Sequence, residues 1–527
     1  MRVQFIWFNI NATPKVNLGI ALLVQELRQA GHQADVLHLN EDIGMGFDTD
    51  RIVARVAGYS PGMIALSFGR NHLRYVEQLL PALRKGLPQV PILCGGVHAT
   101  LAPEQVFSWP EVDFIFIGEA DGLLAPFVTS LENNEDVSGH PGYWGKQDDR
   151  TWHNAMPLPP DIGDQTRMAF EEIDHLASLR FNRGMFEVVS GRGCPGRCSF
   201  CFNQSMRDAY RARLTQDDRG ALRYCRKRSV DNLLDEMSEV LARFGEDVKM
   251  FSFADDAFNF DRSWSLEFFR EYARRIDRPY TCNLLVAQID DEIARGLKRS
   301  GGIAKIGVES GVERIRCDLL DKGFDNATLK RGLARLRAHG VPTRIYLMVG
   351  IPTETRDDVL ETFRFSAGLR ADSTRLCMFF PIEGTPIHDT CRRMGLLTDR
   401  EYENYDDLSI LRWEDGMALF LEKVHDIHPW LHNRHLGPDC SAAYGPLIDR
   451  ALAMGANEWA RPETHLWIRD ESVRLSRYLR DQDTAHYLNP FPERPDVAFL
   501  YSNVSAQLPN ADLIDEPTTD EPGPDST

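Results

Sequence analysis

Three cysteines, Cys194, Cys198 and Cys201, stand four and three residues apart in the stretch Cys194-Pro-Gly-Arg-Cys198-Ser-Phe-Cys201. An apolar run, Phe186-Glu-Val-Val-Ser190, leads into them, and Phe202 follows. Three thiolates cannot complete a tetrahedral zinc site without a fourth ligand, and no paired C-x-x-C lies nearby. They can hold three irons of a four-iron, four-sulfur cube and leave the fourth iron open to an outside ligand. The competing readings are a zinc knuckle and plain structural thiols, and the flanking architecture weighs against both.

The chain around them has 527 residues, 43% hydrophobic, enough for about three domains that each bury a core. A net charge of −18 argues against a broad phosphate-binding surface for nucleic acid. The opening Val3-Gln-Phe-Ile-Trp-Phe8 is too short for a signal or a membrane span. Ten cysteines in so long a chain are not a disulfide framework. Cys94, Cys225, Cys282, Cys317, Cys377, Cys391 and Cys440 are scattered and read mostly as apolar fillers. An oxygen-sensitive cluster requires a reducing compartment, so a cytoplasmic location is expected.

Residues 1–135 alternate short apolar runs with amphipathic ones, which predicts a doubly wound, flavodoxin- or Rossmann-like parallel sheet. The predicted strands are Val3–Phe8, Ala34–His38, Met63–Ser67, Val90–Cys94 and Asp113–Ile117. In such sheets ligands lie over the carboxyl ends of the strands, where glycines admit a large cofactor to the backbone. Those ends carry Asn9, Gly69-Arg70, Gly95-Gly96-Val-His98 and Gly118-Glu119. The dinucleotide fingerprint G-x-G-x-x-G is absent from residues 1–135, which argues against a nicotinamide site there. A flavodoxin-like regulatory domain is the plain alternative.

Residues 136–184 read as a Gly/Pro-rich linker with a small hairpin around Trp144 and Trp152. Strand–helix alternation returns over residues 185–395, where six βα units predict a partial (β/α)6 barrel. In barrels the chemistry sits at the carboxyl ends of the strands. Asp255-Asp256, Glu309-Ser310-Gly311, Gly350-Ile-Pro352-Thr-Glu354 and Pro381, Gly384 and Pro386 collect there. Each alone could be a turn or a helix cap; their repetition at successive strand ends is harder to dismiss. Residues 396–504 have helical character without a strand pattern and read as a C-terminal cap. Within it His425, His428, His432 and His435 lack the H-E-x-x-H pattern and read as surface or packing histidines. The tail, residues 505–527, is rich in Pro, Asp, Glu and Thr and is expected to be disordered.

The cysteine pattern, with Phe200 just before its last member, resembles that of the radical S-adenosylmethionine (SAM) superfamily. "Leu18-Gly19-Ile", "Cys94-Gly-Gly-Val-His-Ala-Thr100" and "Phe116-Ile-Gly-Glu119" resemble the turns of the cobalamin-binding domain that precedes the radical domain in one large, methyltransferase-like subfamily. "Phe253-Ala-Asp-Asp-Ala-Phe258", "Ile306-Gly-Val-Glu-Ser-Gly311", "Met348-Val-Gly-Ile-Pro-Thr-Glu354" and "Phe380-Pro-Ile-Glu-Gly-Thr-Pro386" resemble its strand motifs. The resemblance covers roughly residues 1–395. It implies a 4Fe-4S cluster on Cys194, Cys198 and Cys201, with SAM on the open iron. Asp255 or Asp256 would meet the methionine amino group, Glu309 the methionyl or ribose part, and Arg344 the carboxylate. Phe200 and the backbone around Gly350 and Pro352 would pack on adenine. Cobalamin would lie over Asn9, Gly69, Arg70, Gly95, Gly96, His98, Gly118 and Glu119. The D-x-H-x-x-G motif, whose histidine ligates cobalt in other cobalamin enzymes, is absent, so the resemblance implies no histidine lower ligand and makes Arg70 a neighbour of the metal.

The chemistry implied uses SAM twice: once as methyl donor to reduced cobalamin, and once as the source of a 5′-deoxyadenosyl radical that abstracts hydrogen from the substrate. That route methylates an unactivated carbon, and hydrogen-atom transfer requires no general base, so no catalytic residue is assigned. The leading expectation is a C-methyltransferase for a small secondary metabolite or a peptide-derived substrate, reduced by an external donor such as flavodoxin or ferredoxin, with no nucleic-acid or membrane partner. One rival uses the same cofactors for oxidative cyclisation, ring contraction or another alkyl transfer. Another is a non-enzymatic cobalamin- or zinc-binding sensor.

Overall fold

Two mostly parallel sheets share the work of presenting the cysteine loop. The computed structural model describes residues 1–147, 149–170, 175–398, 409–488 and 497–501. Strands β1 (Arg2–Phe8), β2 (Gln33–Leu39), β3 (Met63–Ser67), β4 (Ile92–Gly95) and β5 (Phe114–Phe116) are parallel, in the order β2-β1-β3-β4-β5. All five lie where the apolar runs predict them. The hairpin at Trp144 and Trp152 forms strands β6 (Tyr143–Gln147) and β7 (Arg150–His153), which pair antiparallel onto β5 and extend the sheet. Gly145 is the register partner of Trp152 and leaves its face to the indole, with which any side chain there would collide.

The helix Leu18–Gln29 starts at Asn17, whose side chain accepts the Ile20 N–H at 3.0 Å. Its Ile20, Val24 and Leu27 pack beneath the first sheet, while Ala21 and Leu22 join the core of the second. One helix therefore has an apolar face for each sheet.

The second sheet begins with β8 (Met185–Val188). A two-residue ladder, β9 (Gly191–Arg192) with β10 (Arg226–Lys227), then brackets the cysteine loop. Strands β11 (Met250–Phe253), β12 (Tyr280–Asn283), β13 (Gly302–Glu309), β14 (Thr343–Val349) and β15 (Ser373–Met378) follow in parallel beside β8, giving the six strands of the expected partial barrel. Along β13–β15, Ala304, Ile306, Val308, Ile345, Leu347, Val349, Leu376 and Met378 enter the core beneath the helices. By the two-residue period of a strand, Lys305, Gly307, Glu309, Arg344, Tyr346, Ser373, Arg375 and Cys377 face the lumen.

The C-terminal region is helical over Met417–Asn433, Pro438–Ala453 and Pro462–Asp481, as expected of a cap. The absence of a strand pattern there is corrected. Strands β16 (His486–Leu488) and β17 (Val497–Tyr501) add antiparallel to β15, with Ser373 opposite Phe499, and cover an edge whose backbone groups would otherwise stand unpaired. His425, His428 and His432 are buried in the first of these helices. The His432 ring packs 4.9 Å from Phe363 and 5.2 Å from Tyr487, and burial lowers its pKa to about 3, so it is a neutral packing group. The expected disordered tail lies outside the described residues.

Candidate active site

The cysteine loop leaves the β9–β10 ladder through Gly193, which has φ +82° and whose missing side chain would meet the Tyr224 carbonyl oxygen at 2.5 Å. Only glycine fits there. The Gly196 N–H donates to Cys194 Sγ at 3.3 Å, and a side chain on Gly196 would stand 3.3 Å from Cys194 Sγ and 3.8 Å from Cys198 Sγ. Two sulfurs thus flank one glycine. Cys201 is the N-cap of the helix Phe202–Arg213, and its Sγ accepts from Asn203 Nδ2 at 3.7 Å. Burial pushes the Cys194 thiol up to about 11 and also raises Cys198 and Cys201, with Lys322 pulling both of the latter down. Without a cation the loop holds thiols; a bound metal must displace the protons.

Asp255 and Asp256, left as alternatives by the sequence, have different surroundings. Asp255 accepts from the Ser190 N–H at 2.9 Å, Ser190 Oγ at 2.5 Å and Lys227 Nζ at 3.1 Å. Lys227 itself lies 4.2 Å over the Trp264 ring. This buried pair closes the end of β11 on itself. Asp256 instead lies on the thiol side: burial raises its pKa, Asn203 hydrogen-bonds to it in opposition, and its charge acts on Cys194, Cys201 and Tyr224.

Glu309 has φ +62° after a register shift between Gly307 and Glu309, and its carboxylate meets Lys322 Nζ at 2.6 Å. Burial works against the Lys322 charge, but Glu309, Cys198 and Cys201 outweigh it and its pKa is raised. Its ammonium also lies 5.6 Å from the Phe200 ring centroid, so Phe200, Glu309 and two of the thiols share one cation. Lys322, in an unremarkable loop, carried no signal in the sequence. Gly350 has φ +79°, and the N–H groups of Gly350 and Ile351 donate to Glu354 Oε2 at 2.7 and 3.2 Å. The Gly350–Pro352 turn is thereby held by a buried carboxyl that burial pushes up to about 8.

The placement of Arg344 corrects the expectation for it. It is the second residue of β14, five before Val349, so it lies about 16 Å below the strand end that faces the cysteines. There it donates from Nε to Ser373 Oγ at 3.0 Å and stacks 5.5 Å over Phe499. It does not join the groups around the thiols.

The strand ends of the first sheet face the cysteine-loop helix, whose Met206 and Tyr210, with Leu214 just past its end, enter that sheet's core. Gly118 has φ +102° and approaches Tyr210 Oη, which also accepts the Glu119 N–H at 3.1 Å. Glu119 takes Arg192 Nη1 on one oxygen and Arg226 Nη2 on the other, both at 2.5 Å. Arg192 adds a two-pronged contact to Asp121 at 2.8 and 2.6 Å. Gly96 has φ +89° against Ser67 and Phe68, and at Gly95 a side chain would meet nothing within 4 Å. Asn9 is buried, donating to the Thr13 carbonyl at 3.2 Å. Gly69 caps the turn Arg70–His72, and Arg70 Nε pairs with Glu383 at 2.8 Å across to the barrel. His98 is buried, with Nε2 3.1 Å from Gln105 Oε1, so several of the eight expected residues are occupied by protein partners.

A parallel sheet of order β2-β1-β3-β4-β5 joined to a six-stranded partial barrel with three cysteines at its mouth defines a two-domain cofactor enzyme. The chain matches the B12 binding domain over residues 13–128 and the radical SAM superfamily over residues 188–366, and it belongs to the cobalamin-dependent, methyltransferase-like branch of the radical SAM proteins. It is 22% identical over 447 residues to an uncharacterized methyltransferase of Pyrococcus horikoshii, covering 82% of this chain and 92% of that one. It is likewise 22% identical over 445 residues to the anaerobic magnesium-protoporphyrin IX monomethyl ester cyclase of Rubrivivax gelatinosus, covering 79% and 74%. The fold is similar to that of the cobalamin-dependent S-adenosylmethionine radical enzyme OxsB, with TM-score 0.63 at 15% identity, covering 97% of this chain and 79% of that one.

Its cofactors are a 4Fe-4S cluster, SAM and cobalamin, and the residues present fit them. Among the described residues no three His, Cys, Asp or Glu side chains converge on one ion position; a cube instead spreads its three cysteines over three irons. At the first sheet, Gly95 leaves open space over its strand end. His72, in the turn after β3, meets Asn71 at 2.8 Å through Nε2, and its Nδ1 is buried without a hydrogen-bond partner among the described residues. No helix of the described residues is long and apolar enough to cross a membrane.

Proposed function

We propose that this enzyme is a C-methyltransferase that acts on an unactivated carbon of a small secondary metabolite or a peptide-derived substrate, with an external flavodoxin or ferredoxin as reductant in the cytoplasm. When bound, the cluster, SAM and cobalamin together supply a hydrogen-abstracting radical and a transferable methyl group. The observation that carries the reading is the tie of Glu119 to Arg192, which holds the strand ends of the cobalamin-binding sheet against the loop of Cys194. A methyl source and a radical source are useful to one substrate only when both face the same space.

In this reading Cys194, Cys198 and Cys201 hold the cluster and Asp256 receives the SAM amino group. Lys322 with Glu309 orders the methionyl and ribose side, while Phe200 and the Gly350–Pro352 turn flank adenine. Gly95, Gly96 and Gly118 let the corrin approach the backbone. Asp255 is a positioning group for its neighbour.

The test is anaerobic. Protein reconstituted with iron, sulfide and hydroxocobalamin is desalted, reduced and given methyl-labelled SAM. Label in the corrin fraction together with 5′-deoxyadenosine supports methyl transfer. Deoxyadenosine with no label on the corrin favours the non-methylating rival, a ring-closing or alkyl-transferring enzyme. Loss of the corrin on desalting would sink the cobalamin assignment.

A further inference from the structure

The helix that leaves the cysteine loop opens with Phe202 and Asn203, and Asn203 is buried at 3% exposure. A buried primary amide requires partners for its two N–H groups and for its oxygen. Asn203 finds all three. Its Nδ2 donates to Cys201 Sγ at 3.7 Å and also hydrogen-bonds the Asp256 carboxyl. Its Oδ1 accepts from Tyr224 Oη at 2.9 Å. The backbone N–H of Asn203 acts on Cys201 as well, so one residue supplies the same sulfur with a side-chain and a main-chain donor.

The orientation of the amide follows from these neighbours. A metal-bound thiolate and an ionised carboxylate can only accept, so the nitrogen faces Cys201 and Asp256 and the oxygen is left to the phenol O–H. Tyr224 is held in turn. Its ring lies edge-on to that of Tyr210, with centroids 6.2 Å apart, and a side chain at Gly193 would collide with its carbonyl oxygen. The donor at Cys201 is therefore fixed by packing.

Hydrogen bonds to the sulfurs of an iron–sulfur cluster are one of the levers on its reduction potential. An added electron increases the negative charge on the sulfur ligands, and an N–H aimed at one of them stabilises that reduced form. A bare carboxylate beside the thiols does the reverse, and Asn203 stands between Asp256 and Cys201 with a donor for each.

We propose that Asn203 is a positioning residue that raises the reduction potential of the 4Fe-4S cluster, its amide donating to Cys201 and held in that orientation by Tyr224. The inference rests on the reading of Cys194, Cys198 and Cys201 as the cluster ligands.

The test is a potentiometric titration with dithionite, in the absence of SAM, of reconstituted wild-type enzyme, Asn203→Leu and Tyr224→Phe. The signal followed is the electron paramagnetic resonance of the reduced cluster. Leucine is similar in size to asparagine and removes both side-chain donors and the acceptor. At the wild-type midpoint, Asn203→Leu is expected to show a ratio of reduced to oxidised cluster at least about tenfold lower, which for one electron is about 59 mV. Tyr224→Phe frees the amide oxygen and should move the ratio in the same direction by about threefold. In an Asp256→Asn background the Asn203→Leu shift should persist, because the donor acts on the sulfur itself. A midpoint unmoved in Asn203→Leu, even with a lowered melting temperature, overturns the proposal, as does a shift that vanishes in the Asp256→Asn background. Should Asn203→Leu fail to hold a cluster, an unmoved midpoint in Tyr224→Phe overturns it instead. Iron content and absorption are read in the same samples. Wild-type enzyme that holds no cluster brings down the ligand reading, whereas a cluster present with unmoved midpoints brings down only the role of Asn203.

Discussion

Glu119 Oε2 accepts a 2.5 Å hydrogen bond from Arg192 Nη1, and Arg192 stands two residues before Cys194. The carboxyl end of the first sheet is thus tied to the start of the cysteine loop. Glu119 is itself shared with Arg226 on the partner strand of the ladder, and Asp121 doubles the grip on Arg192. Both carboxylates and both arginines are mostly buried, so the contact is neither water-weakened nor adjustable at little cost. The double-mutant cycle Glu119→Gln, Arg192→Met is expected to show a coupling of about 2 kcal/mol in thermal or denaturant unfolding. Each single variant should also release corrin faster on desalting. Additive effects on stability, with corrin retention unchanged, would show that the pair is incidental.

Asp255 and Asp256 should separate cleanly. Asp255→Asn leaves the buried Lys227 ammonium without its counter-charge, and stability should fall by roughly 3 kcal/mol. Asp256→Asn removes a carboxyl that burial already disfavours in its charged form, and stability should change by no more than about 1 kcal/mol. SAM binding, followed by equilibrium dialysis on the cluster-loaded protein, should fall at least about tenfold in Asp256→Asn. A destabilised Asp256→Asn with normal SAM binding would reverse these roles.

The cysteine loop was legible because its chemistry is local: three thiols within eight residues need no knowledge of distant contacts. The strands were legible from apolar periodicity, and their ends collected the polar groups. The choice between Asp255 and Asp256 was not legible, because it depends on Ser190 and Lys227, which lie 65 and 28 residues from Asp255 in the chain. Arg344 misled for a different reason. Its type suits a carboxylate, but it precedes Gly350 by six residues on an extended strand, which places it deep in the lumen rather than at the mouth. The Glu119–Arg192 tie joins residues 73 apart and leaves no periodic trace. Strand β17 is a five-residue run, and its role as an edge cover for β15 is a tertiary fact.

Each cysteine should be required individually. Cys194→Ala, Cys198→Ala and Cys201→Ala are expected to abolish cluster absorption after reconstitution and to release no 5′-deoxyadenosine. Corrin binding should persist, since the first sheet is intact. Cys440→Ala is the matched control: that thiol hydrogen-bonds the Ala485 carbonyl at 3.6 Å in the C-terminal cap, and its loss should leave the cluster unchanged.

Glu354 gives the protein a built-in pH dependence. Its Oε2 accepts two backbone N–H groups, while Oε1 is buried with no hydrogen-bond partner among the described residues. Burial raises the carboxyl from 4.5 to about 8 in the folded state. Below about pH 4.5 both folded and unfolded chains hold the proton, and Glu354 contributes no pH dependence. Between about 4.5 and 8 the unfolded chain releases its proton and the folded one does not, so folding becomes progressively less favourable. Above 8 the full penalty is in place. Glu354→Gln keeps the acceptor for Gly350 and Ile351 but cannot ionise. Its melting temperature should therefore match wild type near pH 4.5 and exceed it by a margin that widens up to about pH 8 and then levels off. Parallel curves for the two proteins across that range would show that Glu354 is ionised in the fold and that the Gly350 turn is held by a charge.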